Sequence, residues 1–320
     1  MKIYSAIKTE NSKEIKILGI NIYSKISNID YVKRKYLYGL FKKINNNQEI
    51  KYYILGIKVY SQKDYDAIVK KVVEKERREI KSMLSVFNLH SKVFPKFKNH
   101  NYGKKIIIAG CGPTINYYNV NNDFIHIGLN KAYKIENIKW DYLFFVDRAH
   151  KGNSLDEIIN IDCIKFLGFH CNPEFSYNNE NILYNPNNTT FCYIPEEYVI
   201  RNKAYRFYSN AHRNEIYYDI ETSPLMDFGS VAFCAIHFAL YTHPKRIYLV
   251  GCDCANNGYF NNEIQPLWND KMLNRTFYGY NKLKKFVSVY YPETEIISVN
   301  PVGLKGLFRD VYTKPYIEAH

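Results

Sequence analysis

No hydrophobic stretch of this chain approaches the ~20 residues that a helix needs to span a bilayer. Its opening, MKIYSAIKTENSKE, has neither the apolar segment nor the small-residue cleavage site of a secretory signal. Cysteine is sparse. The 7 cysteines (Cys111, Cys163, Cys171, Cys192, Cys234, Cys252, Cys254) are odd in number, scattered, and form no Cys-x-x-Cys pair. That excludes a disulfide framework and a zinc cluster, and a reducing cytoplasm is the expected setting. With 15 Gly and 11 Pro in 320 residues, collagen and low-complexity chains are excluded too. A composition of 46% hydrophobic and 23% charged residues is that of a globular protein of about two domains.

What is abundant is positive charge, and it is unevenly placed. Residues 1–105 hold 24 Lys and Arg against 9 Asp and Glu, while the remainder holds 20 against 22. A nucleic-acid groove would run through the functional core, so the near-neutral remainder argues against a nucleic-acid partner. A basic appendage on a neutral body suits an anionic surface, such as the inner face of the cytoplasmic membrane, or a merely solvated face.

Within the basic third a short echo occurs. Ile17-Leu18-Gly19-Ile20-Asn21-Ile22-Tyr23-Ser24 returns as Ile54-Leu55-Gly56-Ile57-Lys58-Val59-Tyr60-Ser61. Each copy reads as one short strand, and two copies are too few for a solenoid. Ser61 with Asp64 then resembles a capping box opening a long amphipathic helix through Phe87, with Ile68, Val72, Ile80, Met83 and Leu84 as its apolar positions. Such a helix packs on the body, pairs with another subunit, or lies on a membrane. Pro95 and the polar run to Lys105 mark a boundary, giving a basic N-terminal module over 1–103 and a catalytic domain over 104–320.

The catalytic domain reads as α/β, a doubly wound, mostly parallel Rossmann-like sheet. Ile106–Ala109 is a continuous apolar run of the kind buried on both faces of a parallel sheet. Phe124–Gly128, Tyr142–Val146, Cys163–Phe169, Arg246–Gly251 and Glu295–Val299 are further strands, with Gly229–Tyr241 and Lys282–Val289 as helices. The Asn- and Tyr-rich stretch at about 172–222 reads as a loop-rich lid or acceptor-binding insertion.

Ligands of such sheets bind past the carboxyl ends of the strands. There stand Gly110-Cys111-Gly112-Pro113-Thr114, Asn130, Asp147, and the turn Asp227-Phe228-Gly229-Ser230; Asp253 ends another strand. The glycines let backbone approach a phosphate or sugar, and helix N-termini supply free N–H groups. The pattern is neither the dinucleotide fingerprint nor a P-loop. His243, before Pro244, has the alternative role of complementing a helix C-terminus. The one Asp-x-Asp, Asp64-Tyr65-Asp66, sits in a first helical turn, where carboxylates favour the dipole. No metal or other cofactor is expected, because helix amides, His, Tyr and basic side chains can stabilise a departing monophosphate.

The runs IIIAGCGPTI (Ile106–Ile115), GLNKAY, DYLFFVDRA, GSVAFCAIHFAL and KRIYLVGCDCANNGYF together resemble the bacterial CMP-sugar transferases. These are the family 42 sialyltransferases, the pseudaminate transferases of flagellin modification and the CMP-Kdo transferases. The resemblance spans about residues 104–300, on motifs shared with a wider group that includes archaeal pterin pyrophosphokinase-like proteins. The repeat near the N-terminus is similar to leaders of surface-polysaccharide transferases.

The resemblance implies a donor nucleotide against Gly110, Cys111, Gly112 and Pro113, with Thr114 beside them. Asn130 and Asp147 stand where two donor-contacting asparagines occur. Gly229 and Ser230 meet the donor's carboxylate or phosphate, Asn256 and Tyr259 belong to a phosphate-binding stretch, and His243 matches a His-Pro motif that contacts CMP. Cys111 replaces the usual asparagine. Tyr280, after Gly279, occupies the place of the general-base histidine, although a phenol of pKa about 10 is a poor base. Asp147 and Asp227 are the alternative bases or nucleophiles. The expected activity is metal-independent transfer of an acidic 2-keto sugar (Kdo or sialic acid type) from CMP to a lipid-linked or surface glycan. A pyrophosphokinase-like enzyme and a non-catalytic polysaccharide-assembly protein stay open as alternatives.

Overall fold

The computed structural model describes the backbone of the strands within 4–63, and residues 65–146, 157–158, 160–170, 202–210, 214–262 and 269–319. Two compact units divide at Glu79/Ile80. That division falls inside a helix rather than at the 103/104 boundary read from composition.

The first unit holds β1 (Tyr4–Lys8), β2 (Ser12–Ile17), β3 (Ile20–Asn28), β4 (Tyr31–Tyr36), β5 (Phe41–Asn46), β6 (Glu49–Ile54) and β7 (Ile57–Lys63). They form one antiparallel sheet in sequence order, not the two strands expected. The sequence echo is a repeated hairpin rather than a repeated strand. Ile17 pairs Ile20 and Ile54 pairs Ile57, and both hairpins shift register at the same place, between Ile15 and Lys16 and between Tyr52 and Tyr53. Identical sequence at the turn thus gives identical pairing, because a short turn fixes register. Ser61 lies within β7, so it caps no helix; α1 spans Tyr65–Val93, and Asp64 is outside the described residues.

The second unit is built on nine parallel strands: β8 (Lys105–Ala109), β9 (Ile125–Leu129), β10 (Tyr142–Phe145), β11 (Ile164–His170), β12 (Ala204–Asn210), β13 (Leu225–Met226), β14 (Arg246–Val250), β15 (Glu295–Val299) and β16 (Arg309–Val311). Their spatial order is β13-β12-β11-β10-β9-β8-β14-β15-β16. The expected doubly wound α/β sheet is the observed one. Alternate residues of β8 feed opposite cores: Ile106 and Ile108 face one cluster, Ile107 and Ala109 the other. Burial on both faces is why the strand is apolar without alternation.

One face is covered by α2 (Val231–Tyr241), every residue of which from Ala232 onward is buried, and by α3 (Asp270–Tyr290). A helix apolar on all sides belongs inside. The C-terminal end of α1 joins the same layer through Val93, followed by Phe94 and Phe97. A short helix α4 (Lys314–Ala319) closes the chain.

The stretch expected to be a loop-rich insertion contains a sheet strand, β12; residues 172–201 and 211–213 of it are not among those described. The helix expected at Lys282–Val289 starts a dozen residues earlier, where the Asn269 side chain accepts from the Met272 N–H.

Candidate functional site

Strand order reverses between β8 and β14. The usual ligand crevice of an open parallel sheet lies past the carboxyl ends of the strands at such a reversal. The turn after β8 is fastened to the turn after β14. Gly110 N–H donates to Val250 O and Gly112 N–H to Gly251 O, each at 2.8 Å. The Thr114 hydroxyl donates to the Asp253 carboxylate, and the Thr114 N–H to Asp253 Oδ2 at 3.3 Å. Asn257 Nδ2 donates to the same oxygen at 2.9 Å.

The approach is so close that a Cβ on Gly112 would meet Asp253 Cγ and Oδ2 at 2.5 Å. Glycine is required here by space, since φ at Gly112 is an unstrained −70°. Phe260 N–H donates to Cys111 O at 2.9 Å, and Asn116 Nδ2 to Phe260 O at 3.0 Å, so the loop carrying Asn256 and Tyr259 lies along the glycine-rich turn. Cys111 Sγ reaches Leu129 O at 3.1 Å, which brings Asn130 (φ +46°) alongside. Lys131 Nζ stands 5.9 Å from the centre of the Tyr259 ring. Gly110, Cys111, Gly112, Pro113, Thr114, Asn130, Asp253, Asn256 and Tyr259 therefore share one rim.

A second group gathers where α2 begins. Gly229 takes φ +88° and Ser230 accepts from the Ala232 N–H at 3.3 Å, capping α2. Asp227 sets this turn: Oδ1 accepts from the Gly229 N–H at 2.7 Å and Oδ2 from the Ser209 hydroxyl at 3.2 Å. Asp227 was expected to act as base or nucleophile; it is only 3% exposed with both oxygens engaged, so it positions the turn instead. The two groups are joined by α3. Arg275 donates to Asp227 O at 3.3 Å, Thr276 to Phe228 O at 3.2 Å, and one turn on Tyr280 packs on Phe233 and bonds with Cys252 beyond β14.

Two of the expected site residues stand elsewhere. Tyr280 is 2% exposed, and burial raises its pKa well above the ordinary phenol value, so it is a core residue beneath the crevice rather than a base. His243 lies past the far end of α2, about 16 Å from Ser230 by helix length. There its carbonyl accepts from the Gly103 N–H at 3.0 Å and its ring packs on Tyr291, at the sheet edge opposite the crevice. The helix-end role is the one it fills. Asp147 lies outside the described residues.

Electrostatically the rim is quiet. Burial raises the Asp253 carboxyl above its usual range, with the bonds from Thr114 and Asn257 opposing it. Burial also raises Cys252, and Cys254 to about 11, so both are neutral thiols rather than nucleophiles. Among the described residues, no group of three or more His, Cys, Asp or Glu side chains is arranged to hold a metal ion. Arg275, Thr276 and Ser209 escaped the sequence reading. Arg275 meets Asp227 across 48 residues of chain, and no local pattern signals that pairing.

No family model matches this chain, and no curated protein matches it. Solved structures of the sialyltransferase CstII are similar to it. The Campylobacter jejuni enzyme in complex with the substrate analogue CMP-3FNeuAc is 14% identical, over 65% of this chain and 86% of that one, with a TM-score of 0.35. The same enzyme in complex with cytidine-5'-monophosphate is 17% identical over 62% and 80%, also at 0.35. CST-II with a trisaccharide acceptor and CMP is 19% identical over 61% and 80%, at 0.36. A likeness of this degree carries no donor, acceptor or catalytic residue across to this chain.

Proposed function

We propose that this chain is a glycosyltransferase that moves an acidic 2-keto sugar, of the Kdo or sialic acid type, from its CMP derivative to a glycan acceptor, lipid-linked or at the cell surface. The observation that carries the reading is the strand-order reversal at β8 and β14, where Asp253 locks the Gly110–Thr114 turn at the usual ligand position of an open parallel sheet. The motif resemblance to CMP-sugar transferases falls on those same turns.

In this reading the turn after β8 cradles the nucleotide with Asn130, while Asn256 and Tyr259 close over the phosphate. The sugar carboxylate lies toward Gly229 and Ser230, where the positive end of the α2 dipole and the Arg275 guanidinium favour an anion. Departure of CMP leaves an oxocarbenium-like centre that a carboxylate stabilises. The sequence motif offers Asp147 for that role, as acceptor base if configuration inverts and as nucleophile if it is retained. The leaving monophosphate is stabilised by amides and cations, without a metal.

Thermal-shift measurements with CMP, CTP, ATP and UDP, each with and without EDTA, test the reading. Stabilisation by CMP that EDTA leaves intact supports it. Stabilisation by ATP only with magnesium supports the pyrophosphokinase alternative, and no shift with any nucleotide rejects an enzyme of this class. Asp147→Ala should keep the CMP shift and lose transfer.

The α1 helix exposes Val72, Val73, Ile80, Met83, Leu84 and Phe87, each at least 47% accessible. With the basic excess of residues 1–105 this supports a peripheral membrane role on the cytoplasmic side. No helix among the described residues is long and apolar enough to cross a membrane. Flotation of the full chain with vesicles of neutral and anionic phospholipid tests that role, and equal recovery with both kinds would remove it.

A further inference from the structure

The outer face of α3 carries Lys271, Arg275, Tyr278, Lys282 and Lys285 at intervals of four, three, four and three residues. That spacing puts all five on one stripe of the helix. Asp270, in the first turn, is the only carboxylate that α3 contains. The stripe begins at the crevice. Arg275 bonds to Asp227 O, and the Tyr278 ring packs edge-on against Phe228, 6.3 Å between centres, next to the Gly229–Ser230 turn.

Tyr278 is nevertheless 47% exposed, and Phe277 beside it is 44% exposed. Lys282 Nζ sits 5.3 Å from the centre of the Tyr278 ring and donates to Asn214 O, so the cation is fixed beside the aromatic face. Asn274 and Asn281 stand one turn before and one turn after Tyr278, with Asn281 Nδ2 donating to Phe277 O at 2.9 Å.

We propose that this stripe is the acceptor track, and that the acceptor is an anionic glycan whose terminal sugar stacks on Tyr278. The inference rests on the glycosyltransferase reading and deepens it. An aromatic face bordered by cations and amides recognises a sugar ring through its apolar C–H face, its hydroxyls and its negative charge together. The row of cations, on a helix whose one carboxylate is Asp270, favours an acidic chain over a neutral one. Continuity with the α2 N-terminal turn favours a glycan delivered to the donor over a lipid surface or a nucleic acid, which would have no reason to start at the crevice.

The test uses the full chain and fluorescence polarisation with two labelled probes, an α2,8-linked sialic acid tetramer and neutral maltotetraose, with anionic phosphatidylglycerol vesicles as a separate arm. The acidic probe should bind, the neutral one at least about fivefold more weakly, and the difference should shrink with salt. Tyr278→Ala should weaken the acidic probe about tenfold, as expected for a lost aromatic contact, and Lys282→Gln about fivefold. Both variants should keep the CMP thermal shift.

Equal binding of the two probes, no binding of either, or variants that bind as the unaltered chain does would overturn the proposal. So would vesicle binding that the variants abolish while the oligosaccharide arm stays unchanged. Loss of the CMP shift in the unaltered chain itself would instead reject the glycosyltransferase reading, leaving the probe comparison to stand or fall separately.

Discussion

Thr114 gives both its backbone N–H and its hydroxyl to the Asp253 carboxylate, so the end of β14 holds the turn after β8 in place. Replacing Asp253 by Ala strips the acceptor from those two donors and from Asn257, and leaves buried polar groups unmatched. The expected cost is about 2–3 kcal/mol of stability, with the CMP-induced thermal shift abolished. Urea unfolding and thermal shift measure the two effects. An unchanged CMP shift would show that the turn does not need its lock.

Gly112→Ala separates space from strain. Its Cβ would collide with Asp253 at 2.5 Å, so the turn must open, and CMP affinity is expected to fall about tenfold or more, the cost of overpacking. Gly103, at φ +71° with nothing within 4 Å of an added Cβ, is the control. Gly103→Ala should cost about 1 kcal/mol of stability through backbone strain and leave CMP affinity alone. Isothermal titration of both variants decides; the same CMP affinity in both would discard the crowding argument.

Two buried histidines make the fold acid-sensitive. His90 donates from Nδ1 to the carbonyls of Ile220 and Ser223 and accepts at Nε2 from the Tyr208 N–H. His237 accepts at Nδ1 from the Met226 N–H and donates from Nε2 to Tyr217 O. Both are neutral, and burial lowers both from 6.5 to about 4.

Since the unfolded chain takes up these protons first, stability is fully present above about pH 6.5. It falls between there and about pH 4, by about 1.4 kcal/mol per pH unit for each histidine. Urea midpoints at pH 7, 5.5 and 4.5 should drop in sequence; equal midpoints at pH 7 and 4.5 would refute the buried, neutral state of these histidines.

His243→Ala should leave transfer and CMP binding unchanged, since His243 stands at the edge of the sheet away from the crevice. Tyr280→Phe should likewise retain activity to within about threefold, because only a buried hydroxyl is lost, whereas Tyr280→Ala should cost about 3–5 kcal/mol through the cavity it leaves. Steady-state rates and unfolding midpoints check both. A His243→Ala chain without activity would mean that the far edge takes part after all.

Short-range chemistry made much of this protein legible in its sequence. The apolar run Ile106–Ala109, the glycine turn after it, and the all-apolar α2 each follow from burial and backbone demands that a few neighbouring residues express. The same holds for the two ILGI segments, although a hairpin and a strand look alike there, because β-branched residues pair on either side of the turn. The strand Ala204–Asn210 was hidden by Arg206, Ser209 and Asn210, polar residues among Ala204 and three aromatics.

Tertiary structure alone decided the site's membership. Gly110 and Val250, or Asp227 and Arg275, meet across long stretches of chain only because the strand order reverses and α3 crosses back over α2. The same geometry sent His243 to the far edge and Tyr280 into the core. Which residue types are present is written locally; which of them face a common crevice depends on how far helices carry the chain between strands, and that length is fixed by packing.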